Sequence, residues 1–161
     1  MVYRGGTAPR VVFVGEAPGA AEDRTGLPFQ GRSGQRLDAA IASLALRPTE
    51  VGIVNLIKCR PPENHFAPWA AAACRPFLDR QLAWLDPERL VTLGAHALRA
   101  LDPSAPAVLK AAGTPRASPR GPLFPLIHPA AALRSRRLAD RWTADVTALG
   151  RWLASAPAQP V

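Results

Sequence analysis

The chain is poor in cysteine: Cys59 and Cys74 are the only two among its 161 residues. Two thiols cannot build a disulfide scaffold, nor supply every ligand of a four-thiolate metal site. Lysine is scarce as well, since Lys58 and Lys110 are the only lysines within a combined 20 lysines and arginines. A GC-rich coding sequence accounts for arginine over lysine. It does not account for the shortage of acids, 12 in all, which leaves a net charge of +8. That imbalance suits a polyanionic partner such as nucleic acid. No apolar run approaches the roughly eighteen residues of a membrane span, and residues 1–14 lack the layout of a signal peptide. The composition therefore reads as that of a cytoplasmic protein with both cysteines reduced.

What is present is an alternation of short apolar runs with helical stretches. Val11–Val14, Val51–Asn55, Leu90–Leu93 and Leu123–Ile127 are too short for helices and read as buried strands. Ser33–Ala45 sets Leu37, Ile41 and Leu44 on one helical face. Pro68–Leu85 opens on a proline at a tolerated first-turn position and groups Phe77, Leu78, Leu82 and Leu85, while Pro76 should kink or divide it. A short helix, Ala95–Leu101, follows Gly94, and Asp102–Pro122 reads as a connector with little regular structure. A last helix covers about Leu138–Ala154, and residues 155–161 read as a disordered tail. Together these predict an α/β fold: a single domain over residues 1–154, built as a three-layer α/β/α sandwich on a four-stranded parallel sheet. Ligands of such sheets bind at the carboxyl ends of strands, which draws attention to the residues just after each run.

Three of those places carry polar groups. The first is Gly15-Glu16-Ala17-Pro18-Gly19, followed by Glu22-Asp23 and by Gly26-Leu27-Pro28-Phe29-Gln30-Gly31. It matches neither a dinucleotide nor a P-loop fingerprint, but it gathers carboxylates and an aromatic within one glycine-rich turn. The second is Asn55-Leu56-Ile57-Lys58-Cys59-Arg60-Pro61-Pro62-Glu63-Asn64, whose leading amide offers a donor and an acceptor for reading an amide-like edge, or simply caps a turn. The third is Ile127-His128-Pro129-Ala130-Ala131-Ala132-Leu133-Arg134. A lone histidine after a strand is usually structural, yet the following proline and nearby arginine shape a loop around it.

In this order and at these spacings, the three motifs resemble the uracil-DNA glycosylase superfamily, and within it the thermophile-type family four. The resemblance implies a monofunctional DNA glycosylase that flips uracil out of DNA and hydrolyses its N-glycosidic bond in base excision repair. It implies catalytic roles for Glu16, Glu22 and His128: Glu16 near the base and attacking water, His128 on the departing base. It places Gly15, Ala17, Phe29 and Asn55 in the substrate site, with Phe29 stacking on the flipped base and Asn55 reading its edge. Arg134 falls in the segment that enters the DNA, with Arg136 and Arg137 beside it on the phosphates, and Arg116 and Arg120 as further phosphate holders. The implied partner is uracil-containing DNA, met by a monomer. An alternative is a silent member of the superfamily, or one shifted to hypoxanthine or xanthine.

Two departures temper the resemblance. Family-four enzymes carry a 4Fe-4S cluster on four cysteines, and Cys59 and Cys74 match only two of them; residues 1–10 hold none. No cofactor is expected, with Met1 taken as a natural start and the cluster as lost, although His65 and His96 remain conceivable substitute ligands. Ala130 stands where the family usually has serine, which removes a hydroxyl from the His128 loop.

Overall fold

The computed structural model describes residues 3–155. In chain order it contains β1 (Arg4–Gly5), β2 (Val11–Gly15), α1 (Ala20–Thr25), α2 (Arg32–Ser43), β3 (Val51–Asn55), α3 (Pro68–Leu85), β4 (Arg89–Leu93), α4 (Ala95–Leu101), α5 (Val108–Ala111), β5 (Arg116–Ser118), β6 (Gly121–Leu126) and α6 (Arg136–Ala154). The four apolar runs become β2, β3, β4 and β6, which lie parallel to one another. Their residues point alternately to the two sheet faces, and apolar side chains on both faces require cover on both sides.

That cover makes three layers. One face sets Val11, Phe13, Val91 and Phe124 against Leu37 of α2 and Trp142, Val146 and Leu149 of α6. The other sets Val12, Val14, Val54 and Leu90 against Leu78 and Leu82 of α3 and Leu98 and Leu101 of α4. A fully buried leucine or valine contributes about 1.5–3 kcal/mol by leaving water, so these two clusters dominate the stability of the sandwich.

The sheet has six strands in the order β1-β3-β2-β4-β6-β5, rather than four, because an antiparallel strand is added at each edge. Two residues of β1 are too few to show a period. β5 hides in the proline-rich connector: Ser118 Oγ accepts from Arg120 N and donates to Gly121 O, and Gly121 takes a φ of 97°, so a tight hairpin folds Arg116–Ser118 back onto β6. The same connector also contains α5. Pro76 does not divide α3, which runs as one 18-residue helix. Its buried Leu78, Leu82 and Leu85 hold the segment after the proline against the sheet. Phe77, grouped with those leucines by spacing, instead lies half exposed with the Arg80 guanidinium over its ring. α6 begins two residues earlier than its apolar stripe, because the Ser135 hydroxyl accepts from Leu138 N and caps it. Residues 156–161 of the expected tail lie outside the described residues. Among those that are described, no helix is long and apolar enough to cross a membrane.

The strand order has a functional consequence. From β2 the chain moves to β3 on one side, then crosses back over to β4 on the other. Between such strands the connections leave in opposite directions and open a crevice at their carboxyl ends.

Candidate active site

The parallel register pairs Gly15 with Asn55, so the ends of β2 and β3 arrive together at that crevice. The loops beyond them are knitted by Leu56 N donating to Gly15 O at 2.9 Å and Ile57 N donating to Glu16 O at 2.8 Å. A cavity of about 390 Å³ opens there, lined by Glu16, Ala17, Pro18, Gly19, Glu22, Phe29, Ser33, Asn55, Pro61, Asn64, His128, Ala130, Ala131 and Arg134. Of the residues singled out in the sequence, Glu16, Ala17, Glu22, Phe29, Asn55, His128 and Arg134 all line it. Gly15 lies just behind: a Cβ there would sit 2.4 Å from Asn55 Oδ1 and 2.6 Å from Phe29 Cε2, so only glycine lets these two side chains close on one another.

Asn55 is 2 % exposed and its Oδ1 has no hydrogen-bond partner. An orphaned acceptor costs about 1–3 kcal/mol when water is excluded, a cost a binding site recovers when a ligand donates to it. Lys58 Nζ donates to the Asn55 carbonyl at 2.5 Å and to Gln81 Oε1, fixing the backbone from below. Burial lowers that ammonium to about 8.

His128 follows β6, and Ala130 N donates to its Nδ1 at 3.1 Å. A nitrogen that accepts carries no proton, so the neutral ring holds its hydrogen on Nε2. Burial is the main cause that lowers its pKa from 6.5; Arg134 acts the same way, while Glu16 and Glu22 oppose it. The ring lies 5.9 Å from that of Phe29, centre to centre, at a tilt of 30°.

Glu16 and Glu22 are placed differently. Glu16 Oε2 meets His96 Nδ1 at 2.8 Å. Glu22 is taken up by the loop itself: Oε2 accepts from Gly19 N at 3.0 Å, and Oε1 from Gln30 N at 2.7 Å and Gly31 N at 3.0 Å. Burial pushes its pKa up, but those backbone N–H groups outweigh burial and hold it below 4.5. Phe29, in the loop so clamped, adopts φ 56°, and Asn64, which also lines the cavity, adopts 59°, with Glu63 beside it at 52°. Left-handed backbone at non-glycine residues is strained, and two such residues, Phe29 and Asn64, line this cavity.

Arg134, Arg136 and Arg137 are exposed and form no ion pair among the described residues, but only Arg134 lines the cavity, Arg136 and Arg137 opening α6 just beyond it in sequence. Arg116 and Arg120 do not join them: each is held by a carboxylate, Arg116 by Asp102 at 2.9 Å and Arg120 by Asp79 at 2.6 Å. Sequence reasoning gave no part to Ser33, Asn64 or Leu133. Ser33 and Asn64 line the cavity, whereas Leu133, beside Arg134 in sequence and 40 % exposed, does not; only its exposure, which no local pattern encodes, sets it apart from a core leucine.

Cys59 and Cys74 line a separate apolar hollow of about 580 Å³ with Lys58, Phe77, Arg80, Gln81 and Trp84. Cys74 Sγ accepts from Lys58 N at 3.4 Å. Two thiols do not fit a four-iron cluster, which needs four ligands, and among the described residues no three His, Cys, Asp or Glu side chains gather to complete the set. His65 and His96 pair with Glu63 and Glu16 rather than with the thiols.

Comparison with known proteins agrees with this geometry. The family model of the uracil DNA glycosylase superfamily matches residues 3–148. A type-4 uracil-DNA glycosylase of Thermotoga maritima is 40 % identical over 139 residues, 84 % of this chain and 72 % of the relative. One of Archaeoglobus fulgidus is 34 % identical over 155 residues, 91 % and 78 % of the two chains. One of Pyrobaculum aerophilum is 45 % identical over 92 residues, 56 % and 47 %. The matched span includes every element that lines the cavity, and the chain belongs to the uracil DNA glycosylase superfamily.

Proposed function

We propose that this protein is a monofunctional uracil-DNA glycosylase of base excision repair, acting on a uracil swung out of DNA into the 390 Å³ cavity. The observation that carries the reading is the buried, unpartnered Asn55 Oδ1 in a cavity that a neutral His128 and Phe29 also line. Uracil presents an N3–H donor, which that oxygen accepts, beside carbonyl oxygens that an amide N–H and an imidazole N–H can serve. Phe29 offers a face for the base, and stacking of this kind is worth about 1–3 kcal/mol, offsetting part of the cost of extrusion.

In the reaction a water oxygen bonds to the sugar C1′ as the bond from C1′ to the base nitrogen breaks, the electron pair departs with the pyrimidine, and the proton that the water loses ends on that pyrimidine. Charge then develops at two places. His128 Nε2–H donates to the carbonyl oxygen on which the negative charge collects, a stabilisation that grows toward the transition state. Glu16 orients the water and offsets the cationic sugar. Glu22 supports both by fixing the loop that carries Phe29. Leu133 and Arg134 would enter the stack and hold the phosphates at the vacated position.

The reading is tested with oligonucleotides carrying uracil, hypoxanthine or xanthine, incubated with excess protein and then treated with alkali. Strand breakage at uracil is the expected result. Breakage at a purine lesion alone would move the substrate assignment to that base. Tight binding with no breakage at any base would leave a silent DNA-binding member of the superfamily.

A further inference from the structure

His96 enters neither the motifs nor the mechanism above, yet it contacts the side chain on which the water step depends. It is the second residue of α4 and reaches the cavity wall because Gly94, between β4 and α4 at φ 95°, turns the chain where a Cβ would stand 3.1 Å from the His128 Cβ. One turn of chain thus packs against His128 and sends His96 toward Glu16. Nδ1 lies 2.8 Å from Glu16 Oε2, and since a carboxylate only accepts, Nδ1 carries the hydrogen. On its other side the ring is stacked on Phe66, 3.6 Å between centres and 21° between planes. Phe66 comes from the loop after Asn64, so three separate segments fix this imidazole plane. No hydrogen bond among the described residues is directed at the second oxygen of Glu16.

We propose that His96 is the positioning residue of Glu16: its Nδ1–H pins Oε2 and leaves Oε1 turned to the attacking water. The inference rests on the glycosylase reading and adds a residue to it. Stability alone is a poor account of the pair. Its side chains are 40 % and 31 % exposed, and ion pairs that wet contribute little to folding. Orientation is where such a contact has leverage, as in sites where a third group aligns an acid or base.

The test compares single-turnover uracil release by wild type, His96→Phe, His96→Asn and Glu16→Gln, with uracil-DNA affinity and melting temperature measured alongside. Phenylalanine keeps a ring for Phe66 but cannot donate; asparagine keeps a donor at the position of Nδ1. We expect His96→Phe to release uracil on the order of ten- to a hundredfold more slowly at unchanged affinity and fold. His96→Asn should recover most of that rate. Adding His96→Phe to Glu16→Gln should slow release no further, because the pinned carboxylate is already gone. Full activity in His96→Phe, equal loss in His96→Phe and His96→Asn, or additive losses in the double variant would each overturn the positioning role and leave the glycosylase reading intact. A wild type that releases no base at all would overturn that reading, and this inference with it.

Discussion

The hydrogen on His128 is placed by a single backbone amide. Ala130 N donates to Nδ1, so protonating the ring would cost that bond, and burial adds to the resistance. Two outcomes follow. Replacing His128 by alanine should slow single-turnover uracil release by about 10²–10³, the loss associated with one oxyanion donor, with little change in DNA affinity. The second concerns pH. With a folded pKa below 6.5, the native protein binds fewer protons at this ring than the unfolded chain does. Its contribution to stability is therefore complete above 6.5 and is lost as pH falls from 6.5 through the folded value. The rate should hold below 6.5 for the same reason, falling only once the ring itself protonates; a rate that halves at 6.5 would contradict the neutral-donor role. Asn55 is tested by discrimination instead: Asn55→Asp should favour a cytosine-like edge, because a carboxylate accepts but cannot donate.

At the scale of elements, the site depends on how tightly the Phe29 loop is drawn onto its neighbours. Glu22 clamps it from one side through Gly19, Gln30 and Gly31, and α2 meets it from the other. The contact with α2 requires glycine, since a Cβ on Gly34 would fall 1.9 Å from the Phe29 carbonyl oxygen. Gly34→Ala should therefore destabilise by about 1–3 kcal/mol as backbone gives way, seen as a lowered melting temperature together with slower uracil release. The four parallel strands and the helices that cover them were legible in the sequence because burial on both sheet faces leaves unbroken apolar runs. So were the cavity residues Glu16, Asn55 and His128, because strand ends are where such a sheet puts its chemistry. What escaped depends on contacts between distant segments. Nothing near Glu22 in sequence says that three backbone amides will occupy its carboxylate, and nothing near His96 points to Glu16, 80 residues earlier. The β5 hairpin escaped because proline and glycine mark a turn without saying that strands flank it. Arg89, 2 % exposed, is charged yet packs wholly inside, donating to the Trp152 and Ser155 carbonyls and stacking on the Trp152 ring. No local signal separates it from the exposed arginines.

Over the whole molecule, the net charge of +8 is not spread evenly in its effect. Several arginines are neutralised in pairs: Arg4 with Asp38, Arg10 with Glu88, Arg47 with Glu50, Arg75 and Arg120 with Asp79, Arg116 with Asp102, and Arg141 with Asp145. Arg134, which lines the cavity, and Arg136 and Arg137, which open α6 two and three residues later, have no such partner among the described residues. Phosphates meeting them release counterions, and each contact should add roughly −0.9 to the slope of log affinity against log salt on duplex DNA. Replacing all three by alanine should weaken binding to uracil-containing and undamaged duplex alike and reduce that slope by about 2–3. Arg47 provides the control. It precedes β3, at the opposite end of the strands from the cavity, and already pairs with Glu50. Arg47→Ala removes a charge from the total without removing a phosphate contact, so its slope should match wild type. If Arg47→Ala shifted the slope as much per charge as the triple variant, overall charge rather than a face built around the cavity would govern DNA binding.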